Sequence, residues 1–233
     1  MRRAATLLAL VALAGCTRAG TTEPAHGAWP SVAAAPLDPA AAAELDMLEA
    51  AVRAAPADHA AADRYREAAG KHGATRRAIA SFEQLAADGT AQRSANVHLQ
   101  LGMAYLDAVD QASGVSKPPL TARALRSFDA ALERDPTLWD ARYAKGLVYL
   151  KMPAGLKQHA KAVEVFMDLL DWQGRRPPRP EFALTYFRLS EAYAQGGDRE
   201  RAAAVLRNGL RQFPGHSLLL LGLDTLKREA ERP

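Results

Sequence analysis

Three tyrosines each follow a very small residue by three positions: Gly102 and Tyr105, Gly146 and Tyr149, Ser190 and Tyr193. All three pairs sit inside amphipathic stretches that read as helix, such as "WDARYAKGLVYL" at 139–150. A glycine in mid-helix costs about 1 kcal/mol relative to alanine. A recurring one therefore calls for a structural return, and close approach to a neighbouring helix supplies it, because no side chain holds the two apart. The recurrence predicts repeated helix pairs rather than one irregular bundle.

The rest of the pattern extends that frame. After Leu189, Ser190 and Tyr193 come Ala202, Leu206, Gly209 and Pro214, carried by "FALTYFRLSEAYAQG" and "GDRERAAAVLRNGLRQFP". A second unit runs Lys145, Gly146, Tyr149, then Ala162, Phe166 and Leu169, with four extra residues in the turn "KMPAGLKQHAK". A third runs Leu101, Gly102, Tyr105, then Ala124, Phe128, Ala131 and Pro136, interrupted by a ten-residue insertion around "VDQASGVSKPPLT". The first unit in chain order is weaker: Tyr65, Ala69, Ala78, Phe82 and Leu85 are in place, but Arg66 holds the small-residue position.

These spacings resemble the tetratricopeptide repeat (TPR), a 34-residue helix–turn–helix unit. The resemblance covers about 190 of the 233 residues. It implies an all-α, right-handed superhelical solenoid of antiparallel helix pairs over residues 38–230, with about four units. A leading helix, "PAAAAELDMLEAAVRA", takes Asp38 as N-cap and Pro39 at its first position. The tail from Ser217, "SLLLLGLDTLKREAERP", reads as a closing helix whose charged end faces water. Composition agrees: 48% of residues are hydrophobic, aromatics make up only 6%, and alternating β-branched runs are missing.

Residues 1–15 are a separate object. A cationic start at Arg2 and Arg3 precedes the apolar run "AATLLALVALAG", too short to span a bilayer and suited to a signal peptide. It ends in Leu13-Ala14-Gly15-Cys16, which resembles the bacterial lipobox. That resemblance implies cleavage before Cys16 and lipidation of its thiol. Cys16 is the single cysteine of the chain, so an intramolecular disulfide is excluded. The alternative is a chance cysteine at the end of an ordinary secretory signal. Residues 16–37, rich in small residues and proline, read as a tether. Thr17 in place of aspartate after the cysteine implies, by the same resemblance, the outer membrane of a bacterial envelope, facing the periplasm.

Charge and motifs narrow the function. Of 30 lysines and arginines, removal of Arg2 and Arg3 with the signal leaves 28 against 26 acidic residues, which is not the footprint of a nucleic-acid binder. The six histidines, at 26, 59, 72, 98, 159 and 216, never reach metal-ligand spacing, and no phosphate loop or nucleophile elbow occurs. No cofactor or metal is expected, and no catalytic residue is assigned. "GRRPPRPE" at 174–181 has a composition that favours extended polyproline geometry. It reads either as a basic epitope or, in preference, as a stiff loop between two helix pairs.

In TPR proteins the first helix of each unit lines a concave face. Carried onto this chain by resemblance, the partner-binding positions are Asn96, Leu99 and Met103, then Tyr143, Leu147 and Lys151, then Leu184, Phe187 and Glu191. The alternative is that the apolar ones pack against the end helices. Asp63 and Glu67 occupy the positions where chaperone-binding repeats grip a terminal carboxylate, and their charge would repel one. The expectation is a non-catalytic scaffold, anchored to the membrane by its N-terminal lipid. It would bind envelope proteins or peptide segments and serve assembly of an envelope, secretion or pilus complex. Its rivals are a cell-wall enzyme and a self-assembling structural lipoprotein.

Overall fold

The computed structural model describes residues 36–152 and 158–231. Cys16, the signal sequence and most of the tether lie outside the described residues, as do the extra turn residues from Pro153 to Lys157. The described residues form ten α-helices and no strand: α1 (Pro39–Ala54), α2 (His59–Lys71), α3 (Thr75–Ala87), α4 (Ala95–Gln111), α5 (Lys117–Arg134), α6 (Trp139–Lys151), α7 (His159–Gly174), α8 (Ala183–Gln195), α9 (Arg199–Gln212) and α10 (Ser217–Ala230).

Local sequence sets the starts and stops. Asp38 caps α1, accepting hydrogen bonds from the amides of Ala40 and Ala41, and Pro39 opens the helix. Asp58, Ser94 and Asp198 cap α2, α4 and α9 in the same way, each satisfying an amide the helix cannot pair internally. The turns from α2 to α3 and from α8 to α9 need a left-handed residue. Gly73 (φ 68°) and Gly197 (φ 83°) supply it.

Each helix packs on the next, and α2, α4, α6, α8 and α10 also touch one another in series. The series makes the first helices of the pairs an inner layer, and the second helices α3, α5, α7 and α9 pack against it from outside. Every outer helix buries a small side chain four residues before a large one: Ala78 and Phe82, Ala124 and Phe128, Ala162 and Phe166, Ala202 and Leu206. The four large ones are wholly shielded from solvent, a spine running the length of the stack.

The inner-helix glycines face this spine. A Cβ on Gly146 would stand 2.5 Å from the ring of Phe166, and one on Gly102 would come closer still to Phe128. The partner in the close approach is thus the large residue of the unit's own second helix. Ser190, 4% exposed, holds the third such position and turns its hydroxyl to the Phe187 carbonyl at 2.6 Å. Gly209 adds a further contact: a Cβ there would meet Tyr186 and Leu219 at 2.9 Å.

The ten-residue insertion lengthens helices instead of forming a loop. α4 has 17 residues and α5 has 18, against 13 for α2, α6 and α8. Ala108 and Leu120 are buried in the added turns, and the prolines after Lys117 fall in the first turn of α5, where a missing amide costs nothing.

Candidate partner-binding face

The inner layer divides into two chemically different halves. Over α2 and α4 it is polar and paired with itself. Arg66, 13% exposed, cannot fit the glycine position against Phe82, so its side chain leaves sideways toward α4. There it donates to Asp107 at 2.7 Å, Gln100 at 3.2 Å and Asp63 at 3.4 Å. Gln100 donates back to Asp63 at 3.0 Å, and His59 bridges Asp63 and Asn96. Burial pushes the Asp107 carboxyl above its ordinary range, with Arg66 opposing the shift. Burial works against the Arg66 charge as well, but the two carboxylates outweigh it and hold its pKa above the usual value. This network ties the weakest unit to the stack.

Over α6 and α8 the face is apolar and aromatic. Tyr143 stacks on Trp139 with ring centres 4.7 Å apart and planes 13° from parallel. Its hydroxyl accepts from Arg188 at 3.2 Å. Arg188 also donates to Glu191 at 2.8 Å and lies over the Phe187 ring. Leu147, Leu184 and Phe187 are half-buried beside them.

The expected positions fare differently. Asn96 is committed to a structural bond, donating to the Pro56 carbonyl at 3.1 Å. Leu99 is a correction: at 2% exposure it belongs to the core shared by the first two pairs, and a side chain with no free surface offers nothing to a partner. Met103 is half-buried against that core. Lys151 is exposed at the rim, 3.9 Å from Asp110. Tyr143, Leu147 and Leu184 pack on one apolar cluster, Phe187 packs on the next, and Arg188 links Tyr143 to Glu191. The closing helix α10 packs on α8, and a Cβ on its Gly222 would stand 3.3 Å from the Phe187 ring, so one side of Phe187 rests against the end helix. Among the described residues no three of His, Cys, Asp or Glu come together to hold a metal ion, and no helix is long and apolar enough to cross a membrane.

No family model matches this sequence, and no curated protein matches it either. Solved structures do. A thermophilic TPR protein of Thermus thermophilus, TTC0263, superposes with a TM-score of 0.60 at 22% identity, over 80% of this chain and 90% of that one. The chain has the TPR fold. A tetratricopeptide repeat protein from Parabacteroides merdae matches with a TM-score of 0.54 at 17% identity, over 80% of this chain and 65% of that one. MamA matches with 0.51 at 20%, over 73% and 87%.

In TPR terms, α2/α3, α4/α5, α6/α7 and α8/α9 are the four units, with α1 and α10 at the ends. Reading the repeat missed Arg66 and Gln100, which tie α2 to α4. The signal was present: an arginine at the small-residue position has to direct its charge somewhere. Gln100, 1% exposed between two spoken-for partners, carried no signal at all.

Proposed function

We propose that the protein is a non-catalytic scaffold whose inner face over α6 and α8 docks an apolar segment of a protein partner. The observation that carries this reading is the cluster of half-buried Tyr143, Leu147, Leu184 and Phe187 beside the charged pair Arg188 and Glu191. An amphipathic peptide that inserts apolar side chains among a few charges suits such a surface. The TPR fold of the neighbouring structures supports it.

The lipobox-like Leu13-Ala14-Gly15-Cys16 supports a lipid anchor in the bacterial envelope, with the solenoid facing the periplasm of the outer membrane. Confinement to a membrane raises the effective concentration near membrane-bound partners, so modest affinity suffices for assembly of an envelope, secretion or pilus complex. Crosslinking in cells followed by mass spectrometry tests both parts. Phe187→Glu removes envelope-protein crosslinks while the helical spectrum persists, and Cys16→Ser abolishes lipid labelling. Unchanged crosslinks in Phe187→Glu contradict the docking face, and labelling that survives Cys16→Ser contradicts the anchor. A second reading, a self-assembling subunit, is favoured by Leu220 and Leu221, 49% and 56% exposed on the terminal helix α10. Light scattering that finds oligomers would select it.

A further inference from the structure

The turns within the helix pairs lie along one edge of the stack, and α1 begins at that same edge. Glu44, near the start of α1, bonds His72, just past the end of α2, at 3.0 Å. Gln111, which closes α4, donates to Thr75, which opens α3, at 2.9 Å. Asp110 of α4 and Lys151, the last residue of α6, stand 3.9 Å apart. Residues 16–37, whose composition suits a tether, therefore join the solenoid at Asp38 on this edge. The turns between pairs lie on the opposite one.

Two features set the tether edge apart. Val115, at the tip of the α4/α5 turn beside Gly114 (φ 51°), is 92% exposed, more than any other large apolar side chain described. α4 has 17 residues against 13 in α6. At about 1.5 Å per residue, the added turn of helix carries this tip roughly 6 Å beyond its neighbours. Each of the first three turns also presents an exposed lysine: Lys71, Lys117 and Lys161. Among the described residues no carboxylate pairs with any of the three, and Lys161 instead stands over the Tyr149 ring at 5.4 Å. The nearby carboxylates are taken, Asp110 by Lys151 and Glu44 by His72. On the opposite edge Arg175 and Arg179 have Asp171 and Glu181 as partners.

We infer that this edge rests on an anionic phospholipid surface, with Val115 dipping among the headgroups while Lys71, Lys117 and Lys161 face their phosphates. An apolar tip flanked by unpaired cations matches a headgroup layer, which is apolar beneath and negative above. The point of attachment selects this occupant: lipid at Cys16 keeps the edge that carries Asp38 nearest the headgroups. This orientation rests on the lipid anchor proposed above. It stands the helices on their ends and leaves the inner face open to the side, where a partner at the membrane can reach it. Each lysine held near an anionic surface strengthens binding about fivefold.

The test places the full chain on vesicles of phosphatidylcholine alone and of phosphatidylcholine mixed with phosphatidylglycerol. Flotation with the neutral vesicles reports the anchor. An environment-sensitive thiol dye reports the edge, carried either by Val115→Cys or by Gly89→Cys, in a turn of the opposite edge where a Cβ meets nothing within 4 Å. The parent, with Cys16 acylated, takes no dye. On the mixed vesicles emission from Val115→Cys rises about twofold or more, while Gly89→Cys and the neutral vesicles give no change. About 0.5 M salt, which cuts the screening length to a few Å, abolishes the rise. So does the triple variant Lys71→Gln, Lys117→Gln, Lys161→Gln, whose helical spectrum stays that of the parent. No rise for Val115→Cys, or an equal rise for Gly89→Cys, overturns the proposal, and flotation with neutral vesicles still upholds the anchor. A parent that takes the dye contradicts the anchor instead, and the same two dye positions then decide the edge in a Cys16→Ser background.

Discussion

A single Cβ decides opposite outcomes at different glycines. At Gly146 it would collide with Phe166, so Gly146→Ala is expected to destabilise by about 1–3 kcal/mol through overpacking. This exceeds the roughly 1 kcal/mol that alanine's helix propensity returns. At Gly70, also helical, nothing lies within 4 Å of the same atom, and Gly70→Ala is expected to stabilise by about 0.5–1 kcal/mol. Urea denaturation of the two variants measures the contrast. Arg66 follows a different rule, since its removal strands the half-buried Asp107 and the buried Gln100. Arg66→Met is expected to cost about 1–3 kcal/mol by the same assay.

Among the elements, the leading helix α1 is tied to α2 and α3 by charged pairs. Glu49, on α1, accepts from Tyr65 of α2 at 3.2 Å and from Arg77 of α3 at 2.8 Å, and also pairs with Arg53. Burial pushes its carboxyl up, but the hydrogen bonds from Arg53, Arg77 and Tyr65 overcome this and bring it down to about 2. Tyr65 is pushed up to about 12, first by burial and then by the Glu49 charge. A carboxyl depressed in the folded state contributes stability above its ordinary pKa of 4.5 and loses it as pH falls toward 2. Amide exchange in α1 is therefore expected to accelerate as pH is lowered through that window, after correction for intrinsic rates, ahead of α8 and α9. Glu49→Gln should flatten the response; an α1 that stays as protected at about pH 2.5 as at about pH 6 contradicts the clasp.

The elements also show what sequence conveys. Helix pairing was legible because Gly102, Gly146, Ala124, Ala162, Phe128 and Phe166 are steric requirements that leave few substitutes. The insertion after Tyr105 was not legible as longer helices, since proline marks a helix start and a loop equally well. Leu99 was misplaced because repeat position specifies the direction a side chain takes and says nothing about how closely the neighbours crowd it. An aromatic cleft joins Trp139 to Trp172 and Phe182 across separate turns, a proximity that stacking creates and local sequence does not encode.

For the whole molecule, stability should behave as a chain of neighbours rather than as one core. Among the described residues, the buried apolar side chains fall into three clusters along the stack, the first spanning α1 to α6 and the last confined to α8, α9 and α10. Repeat solenoids transmit stability through adjacent interfaces. Phe128→Ala removes a fully buried ring from the α4/α5 unit, at an expected cost of about 3–5 kcal/mol. Hydrogen exchange of that variant, read helix by helix, tests the stacked-pair architecture most directly. The prediction is loss of protection in α4 and α5, less in α3 and α6, and none in α9 and α10. An equal loss in all ten helices would contradict it.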